Sequence, residues 1–345
     1  MLRLLSAGES HGQALLAILE GMPAGLRVDK RIIDQELKRR QSGYGRGPRM
    51  KIEKDKVDIL SGVIKGKTIG SPIALKIDNR DFSIDRLPSI LAPRPGHADL
   101  AGALKYDFKD IRFVLERASA RETAVRVAAG ALCKFFLKEF KIAVSSKVLM
   151  VGGKTSESEI RHKIDEAKRK QDTLGGSFEV IAKGVPVGLG SYAQYDKRLD
   201  AKLAAAVMAI PGIKAVEFGL GAESANKMGS EVHDEIFYSK GNGFYRKTNN
   251  AGGIEGGVSN GEAIVLRAYM KPISSLAQPL DSVNIITKKP TKAAIQRADI
   301  CAVLAAGVIA EGVVAFVLSD AFLEKFGSDS LIQIRRSYEG YVKSL

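Results

Sequence analysis

The sequence predicts one domain that mixes strands and helices and is built from two pseudo-symmetric halves. Three observations point there. Residues 300–326 are apolar nearly all round, as expected of a central, deeply buried helix. Ser10-His11-Gly12-Gln13-Ala14, an apolar run and Pro23 are echoed by Ser259-Asn260-Gly261-Glu262-Ala263, an apolar run and Pro272. Both stretches follow S-x-G-x-A with the proline at the same offset; coincidence among small residues and an ancient duplication both account for it. Finally, no Pro/Ser-rich linker divides residues 1–345, so the chain forms a single unit.

The elements follow in order. Gln13 to Leu19 is a short apolar run ending at Gly21-Met22-Pro23, which predicts a buried strand and a turn. Asp29 is placed as the N-cap of a helix to about Arg40, with Val28 and Ile33 as a hydrophobic staple. Residues 43–49, Gly-Tyr-Gly-Arg-Gly-Pro-Arg, are too glycine-rich for regular structure and predict a mobile basic loop. Ser119 and Glu122 form an S-x-x-E capping box for a helix whose Ala124, Val127, Ala128, Ala131, Leu132 and Phe135 keep i, i+3, i+4 spacing. Ser156 and Glu159 offer a second box for an exposed charged helix to Lys170, and Asp200 is placed as the cap of an Ala-rich helix that stops before Pro211.

Composition bounds the function without choosing it. Lys and Arg total 53 against 39 Asp and Glu, a net charge of +14, which asks for nucleic acid, a membrane surface or a highly charged small molecule. Tryptophan is absent and aromatics are 6%, so the core is aliphatic and no aromatic residues interleave with the arginines as stacking platforms for single strands. Cys133 and Cys301 lie in apolar surroundings and predict buried, reduced thiols. The start, Met1-Leu2-Arg3-Leu4-Leu5, meets Ser10-His11 too early for a signal-peptide apolar region. Glu311 interrupts the apolar 300–318 stretch, so a buried core helix in a cytoplasmic protein is expected rather than a membrane span. No Cys/His/carboxylate cluster has metal-ligand spacing.

Chemistry concentrates at few places. Of four histidines, His162 and His233 sit in charged, solvated contexts. His11, in Gly8-Glu9-Ser10-His11-Gly12, and His97, in Arg94-Pro95-Gly96-His97-Ala98-Asp99, sit in small-residue turns suited to acid–base work or to structural hydrogen bonding. Residues 252–261 hold five glycines, enough for either an anion cradle of backbone N–H groups or a hairpin corner. Gly62-Val63-Ile64-Lys65-Gly66-Lys67-Thr68 has one residue too few between its glycines to be a Walker loop. Arg39, Arg40, Arg46, Arg49, Arg94, Arg117, Arg121 and Arg297 fall at turns and helix ends, where guanidinium groups bind carboxylates and phosphates.

Six segments together resemble the chorismate synthase family: G-E-S-H-G at 8–12, R-P-G-H-A-D at 94–99, R-A-S-A-R-E-T-A at 117–124, G-G-I-E-G-G-V-S-N-G at 252–261, K-P-I-S-S at 271–275 and R-A-D-I-C-A-V at 297–303. They occur in the family's order across essentially the whole chain. Leu304 departs from a proline that many relatives carry, and some family insertions are absent, so the chain resembles a compact member. The resemblance implies a single-domain α+β fold, a β-α-β layered sandwich with antiparallel sheets around a helical layer, assembled as a homotetramer. It implies anti-1,4-elimination of phosphate from 5-enolpyruvylshikimate 3-phosphate to give chorismate, with reduced FMN required. Relatives differ in whether they reduce their own flavin, so NADPH or an external flavin reductase stands as the electron source; nucleic acid and membrane are not implied as partners.

Carried over residue by residue, the resemblance implies that Ser10, His11, Arg40, Arg46, Arg49, Arg94 and Arg121 bind substrate. His11 protonates the departing phosphate, His97 attends the reduced flavin, and Asp299 assists removal of the ring proton. FMN is held by Arg117, Ala118, Ser119, Gly256, Lys271, Pro272, Ile273, Ser274, Ser275 and Arg297; Pro211 and Gly212 align with a flavin contact but differ in residue type.

Overall fold

A computed structural model describes residues 2–47, 52–241, 243–296 and 299–345. Arg49 and Arg297 therefore lie outside the described residues.

Two four-stranded antiparallel sheets frame the molecule. In the first, Arg3–Ala7, Ala14–Glu20, Ile73–Asp78 and Asp58–Ile59 lie side by side. In the second the order is Ala143–Val151, Gly176–Lys183, Ile264–Met270 and Ile213–Phe218. Alternation fixes which face each sheet buries. Leu15, Ala17 and Leu19 point inward and pair across the ladder with Ile77, Leu75 and Ile73, all essentially without solvent contact. Ile264, Leu266 and Ala268 likewise pair with Ala182, Val180 and Phe178. Both sheets run first–second–fourth–third in chain order, with a helix between the second and third strands and a long helix after the fourth. The sequence echo joins the second strand of one sheet to the fourth of the other, so it does not mark matching positions in that order.

Thr123–Lys138 packs on the first sheet, Val303–Phe326 on the second, and the two pack on each other. The Val303–Phe326 helix is long and apolar enough to cross a membrane, but 83% of its apolar window is buried inside the protein. Its Glu311 is buried too. Arg39 donates to it at 2.7 and 2.8 Å, Ser146 at 2.7 Å, and Lys134 pairs with it, so one carboxylate ties together two other helices and a strand. Burial opposes that charge, yet hydrogen bonds from Arg39 and Lys134 hold its pKa below the ordinary value. Cys133 and Cys301 are free and buried, as expected.

The helix–helix crossing depends on glycine. A Cβ on Gly130 would lie 2.4 Å from Gly312 Cα, whereas one on Gly312 would meet nothing closer than 3.5 Å. Gly130→Ala is therefore expected to destabilise by about 1–3 kcal/mol, although alanine is the better helix former by about 1 kcal/mol. Gly312→Ala is expected to be neutral or stabilising. Urea unfolding of the two variants decides it, and the reverse ranking would refute this reading of the crossing.

Local signals held unevenly. Asp29 caps Lys30–Gln41 by accepting from Arg31 N, and Ser156 caps Glu157–Arg169 by accepting from Glu159 N. The box at Ser119 does not form: Ser119 caps a 3₁₀ turn, Ala120–Glu122, by accepting from Arg121 N. Glu122 turns instead to Arg126 at 2.8 Å, and the α-helix begins at Thr123. Asp200 lies inside the first turn of Leu199–Met208, paired with Arg198 at 2.5 Å, rather than at its cap.

Candidate active site

The protein holds a cavity of about 440 Å³. Its apolar wall is Leu115, Ile210, Met270 and Ile273 with Ala302, Ala305, Ala306 and Ile309 of the central helix and its approach. Facing it are Ser10, His11, Arg40, Arg46, Arg94, His97 and Arg121, with Ala118, Ser119, Lys271, Pro272, Ser274, Ser275 and Asp299 completing the rim. Pro211 and Gly212 also line it. The exposed His162 and His233 stand apart.

His11 is carried on the turn joining the first two strands. Gly8 enters it at φ +106°, where a Cβ would lie 2.4 Å from Ala14 O, so only glycine fits. Asn79 Nδ2 donates to the carbonyls of Glu9 and Gly12, and its Oδ1 accepts from Arg121 Nε at 2.9 Å. One side chain thus sets the histidine turn against a cavity arginine. The ring Nδ1 of His11 lies 3.0 Å from both oxygens of Glu116, and Glu116 Oε2 accepts from His11 N at 2.8 Å. Burial opposes the Glu116 charge, but the hydrogen bond and charge of His11 keep its pKa below the ordinary value.

His97 stands before the Asp99–Tyr106 helix, its Nδ1 2.5 Å from Asp99 Oδ1. Asp99 is fully buried and also accepts from Arg94 Nε at 2.8 Å, while Arg94 Nη1 donates to Ser275 Oγ at 2.5 Å. Burial alone would raise the Asp99 pKa; hydrogen bonds from His97 and Arg94 hold it far below the carboxylate range. Because the folded value lies under the unfolded value of about 4, the stability that Asp99 contributes is complete above that pH. It is lost as pH falls toward the folded value. Acid titration followed by circular dichroism should therefore show a shallower loss below about pH 4 in Asp99→Asn, which is also less stable at neutral pH. An unchanged acid slope would count against the pairing.

The remaining cations form one cluster. Asp55, buried, accepts from Arg40 Nη2 at 2.8 Å and from Arg121 Nη1 at 2.6 Å. Burial works against its charge, and the two guanidinium groups outweigh it, holding the pKa down. Burial pushes Arg40 below the usual guanidinium range, with Arg121 and Arg46 adding to it and Asp55 opposing. Among the described residues, Arg40 Nε and Arg121 Nη2 are buried without a hydrogen-bond partner, although Arg121 Nη2 lies 3.6 Å from Glu53. Buried donors of this kind are what an anionic ligand would satisfy. Arg46 pairs with Asp299 at 3.0 Å, and Gly47 N donates to the same carboxylate at 2.6 Å. With Tyr44 donating to Asp165 and Ile300 N to Gly45 O, residues 43–47 are docked against the cavity rather than loose.

Two expected flavin residues do not line this cavity. Arg117 is exposed and donates to Ser6 O and Gly8 O, bracing the histidine turn from outside. Gly256 and Gly257, at φ +57° and +85°, make the corner of the Ile254–Glu255 and Val258–Ser259 hairpin. Gly252 and Gly253 pack against backbone too closely for a Cβ. Arg39 serves Glu311 instead of the cavity. Sequence reasoning missed Glu53, Asp55, Asn79 and Glu116. Asp99 alone carried a usable signal, two residues after His97 inside the same motif.

The profile of the chorismate synthase family matches residues 2–323. A chorismate synthase of Thermoanaerobacter pseudethanolicus is 56% identical over 344 residues, covering 99% of this chain and 98% of the relative. One from Geobacter sulfurreducens is 53% identical over 388 aligned positions, covering 99% of each. That alignment exceeds the 345 residues here, in keeping with a compact version. A crystal structure of chorismate synthase superposes with a TM-score of 0.82 at 43% identity, covering 99% of this chain and 98% of that one. The fold is thus α+β, and the chain belongs to the chorismate synthase family, the chorismate-forming lyases of the shikimate pathway, which act on a phosphate-bearing substrate.

Proposed function

We propose that this chain converts 5-enolpyruvylshikimate 3-phosphate to chorismate and phosphate by anti-1,4-elimination, with reduced FMN required. The observation that carries the reading is a cavity whose polar wall, among the described residues, holds four arginines, two of them with buried donors that have no partner there, beside two carboxylate-held histidines. A substrate bearing one phosphate and two carboxylates matches that donor set.

Arg40, Arg46, Arg94 and Arg121, with Ser10, bind the anionic groups and orient the substrate. His11 donates a proton to the departing phosphate, which lets the allylic C–O bond break without full charge on the leaving group. Asp299, paired with Arg46, assists removal of the ring proton. The apolar wall suits a flat ring system, and Ala118, Ser119 and Lys271 to Ser275 offer backbone, hydroxyl and ammonium groups beside it, so the residues present fit FMN. Burial, with Lys214 nearby, lowers the Lys271 pKa, and its ammonium is tied to Gly96 O and Ser274 Oγ. Reduced FMN, when bound, would supply an electron-rich ring system, which His97 would attend, and residues 43–47 exclude water.

Pseudo-symmetric halves in a layered sandwich are proposed on the shared strand order of the two sheets. A homotetramer is proposed on the apolar outer face of the first sheet, where Leu5 and Ile18, cross-strand partners, and Leu16 are all exposed.

An anaerobic assay with reduced FMN and substrate tests the function through phosphate release. No release, together with tight salt-sensitive nucleic-acid binding, would overturn it. Replacing dithionite by NADPH separates built-in flavin reduction from dependence on an external reductase. His97→Ala is expected to lower release by roughly 10²–10⁴-fold, and a near wild-type rate would remove His97 from the chemistry.

A further inference from the structure

We propose that Glu116 is the positioning residue for His11, fixing the ring proton on Nδ1 and leaving Nε2 as the nitrogen that exchanges protons with the cavity. The proposal rests on the reading of His11 as proton donor to the leaving phosphate.

The geometry is two-handed. An ionised carboxylate only accepts, so the group facing it must donate. Glu116 Oε2 is aimed by the His11 backbone N–H at 2.8 Å, and the same carboxylate meets His11 Nδ1 at 3.0 Å through both oxygens. Nδ1 therefore bears a proton whether the ring is neutral or charged. Only Nε2 gains or loses one, as acid catalysis at a single site requires. Glu116 cannot swing away: it is 2% exposed, and its backbone carbonyl accepts from Ser10 N at 2.9 Å. Behind it, Arg112 Nη1 stands at 3.5 Å while Nε and Nη2 of the same guanidinium donate to Pro88 O.

Charged groups on several elements surround the ring. Glu116 faces the ring from the Arg112–Ala118 helix with Arg112 at its back. Asp81 Oδ2 lies 4.0 Å from Nε2 on the loop after Ile73–Asp78. Among the described residues, Arg40, Arg46, Arg94, Arg121, Lys271 and Asp299 line the same cavity.

The test uses ligand-free enzyme first. Ring-nitrogen NMR of the four histidines, assigned with His11→Ala, is expected to find neutral His11 protonated at Nδ1. In Glu116→Gln, whose amide both donates and accepts, neutral His11 should no longer be held to the Nδ1-protonated form. In phosphate-release kinetics kcat should drop between roughly 10-fold and the full loss of His11→Ala, with KM little changed. A neutral His11 protonated at Nε2 in the unmodified enzyme overturns the proposal, as does a Glu116→Gln variant whose His11 tautomer and kcat coincide with wild type. Should Glu116→Gln not fold, Glu116→Asp replaces it and the unmodified tautomer still decides. A wild-type chain with the expected tautomer but no phosphate release would sink the proposed function and leave the Glu116 assignment standing.

Discussion

Replacing His11 by alanine is expected to lower phosphate release by roughly 10²–10⁴-fold, the usual weight of a general acid. The loss should fall on kcat. The arginines that bind substrate are anchored independently of the imidazole, Arg40 and Arg121 by Asp55 and Arg94 by Asp99. Truncation at His11 leaves those ion pairs intact and removes only the proton source. His162→Ala, at an exposed helix position, serves as the control and should match wild type. Release by His11→Ala at a near wild-type rate would take the residue out of the mechanism, and a raised KM with unchanged kcat would reassign it to binding.

The second large effect is on stability. Asp55→Ala leaves two buried guanidinium groups without the carboxylate that both use. Breaking a buried pair by removing one partner characteristically costs about 3–5 kcal/mol. Glu53, 3.6 Å from Arg121, makes only a partial substitute. The variant should therefore unfold at markedly lower urea concentration than wild type. Inorganic phosphate should recover part of the loss, because an oxyanion in the cavity accepts from the same guanidinium groups and binds only the folded state. Equal urea midpoints would show that Asp55 is not what holds the cluster. A phosphate effect no larger than in wild type would show that the freed donors do not face the cavity.

The site residues separate by what each depended on. His11, His97 and the glycine-bounded turns around them were legible because a short motif encodes a turn. Gly8 is required where a Cβ would strike Ala14 O. The partners of those residues were not. Glu116 lies 105 residues from His11, and Asp55 lies 66 from Arg121. Nothing local marks either among 39 acidic residues. Arg39 and Arg40 show the same limit within two positions. Successive residues on an α-helix point about 100° apart, so one arginine reaches Glu311 and the other the cavity. The Ser119 box failed for a related reason: Arg126, one helical turn on, draws Glu122 away.

The sequence by itself determined the features that short-range physics controls. These are the Asp29 and Ser156 caps, the all-round burial of Val303–Phe326, and the two histidine turns. Tertiary structure alone decided which arginines share a cavity, which carboxylate stands behind each histidine, and that Gly256 and Gly257 form a hairpin corner. Propensity, periodicity and capping act within a few residues. Charge pairing and cavity formation depend on where the packing of two sheets and their helices brings distant side chains, and local pattern does not encode that distance.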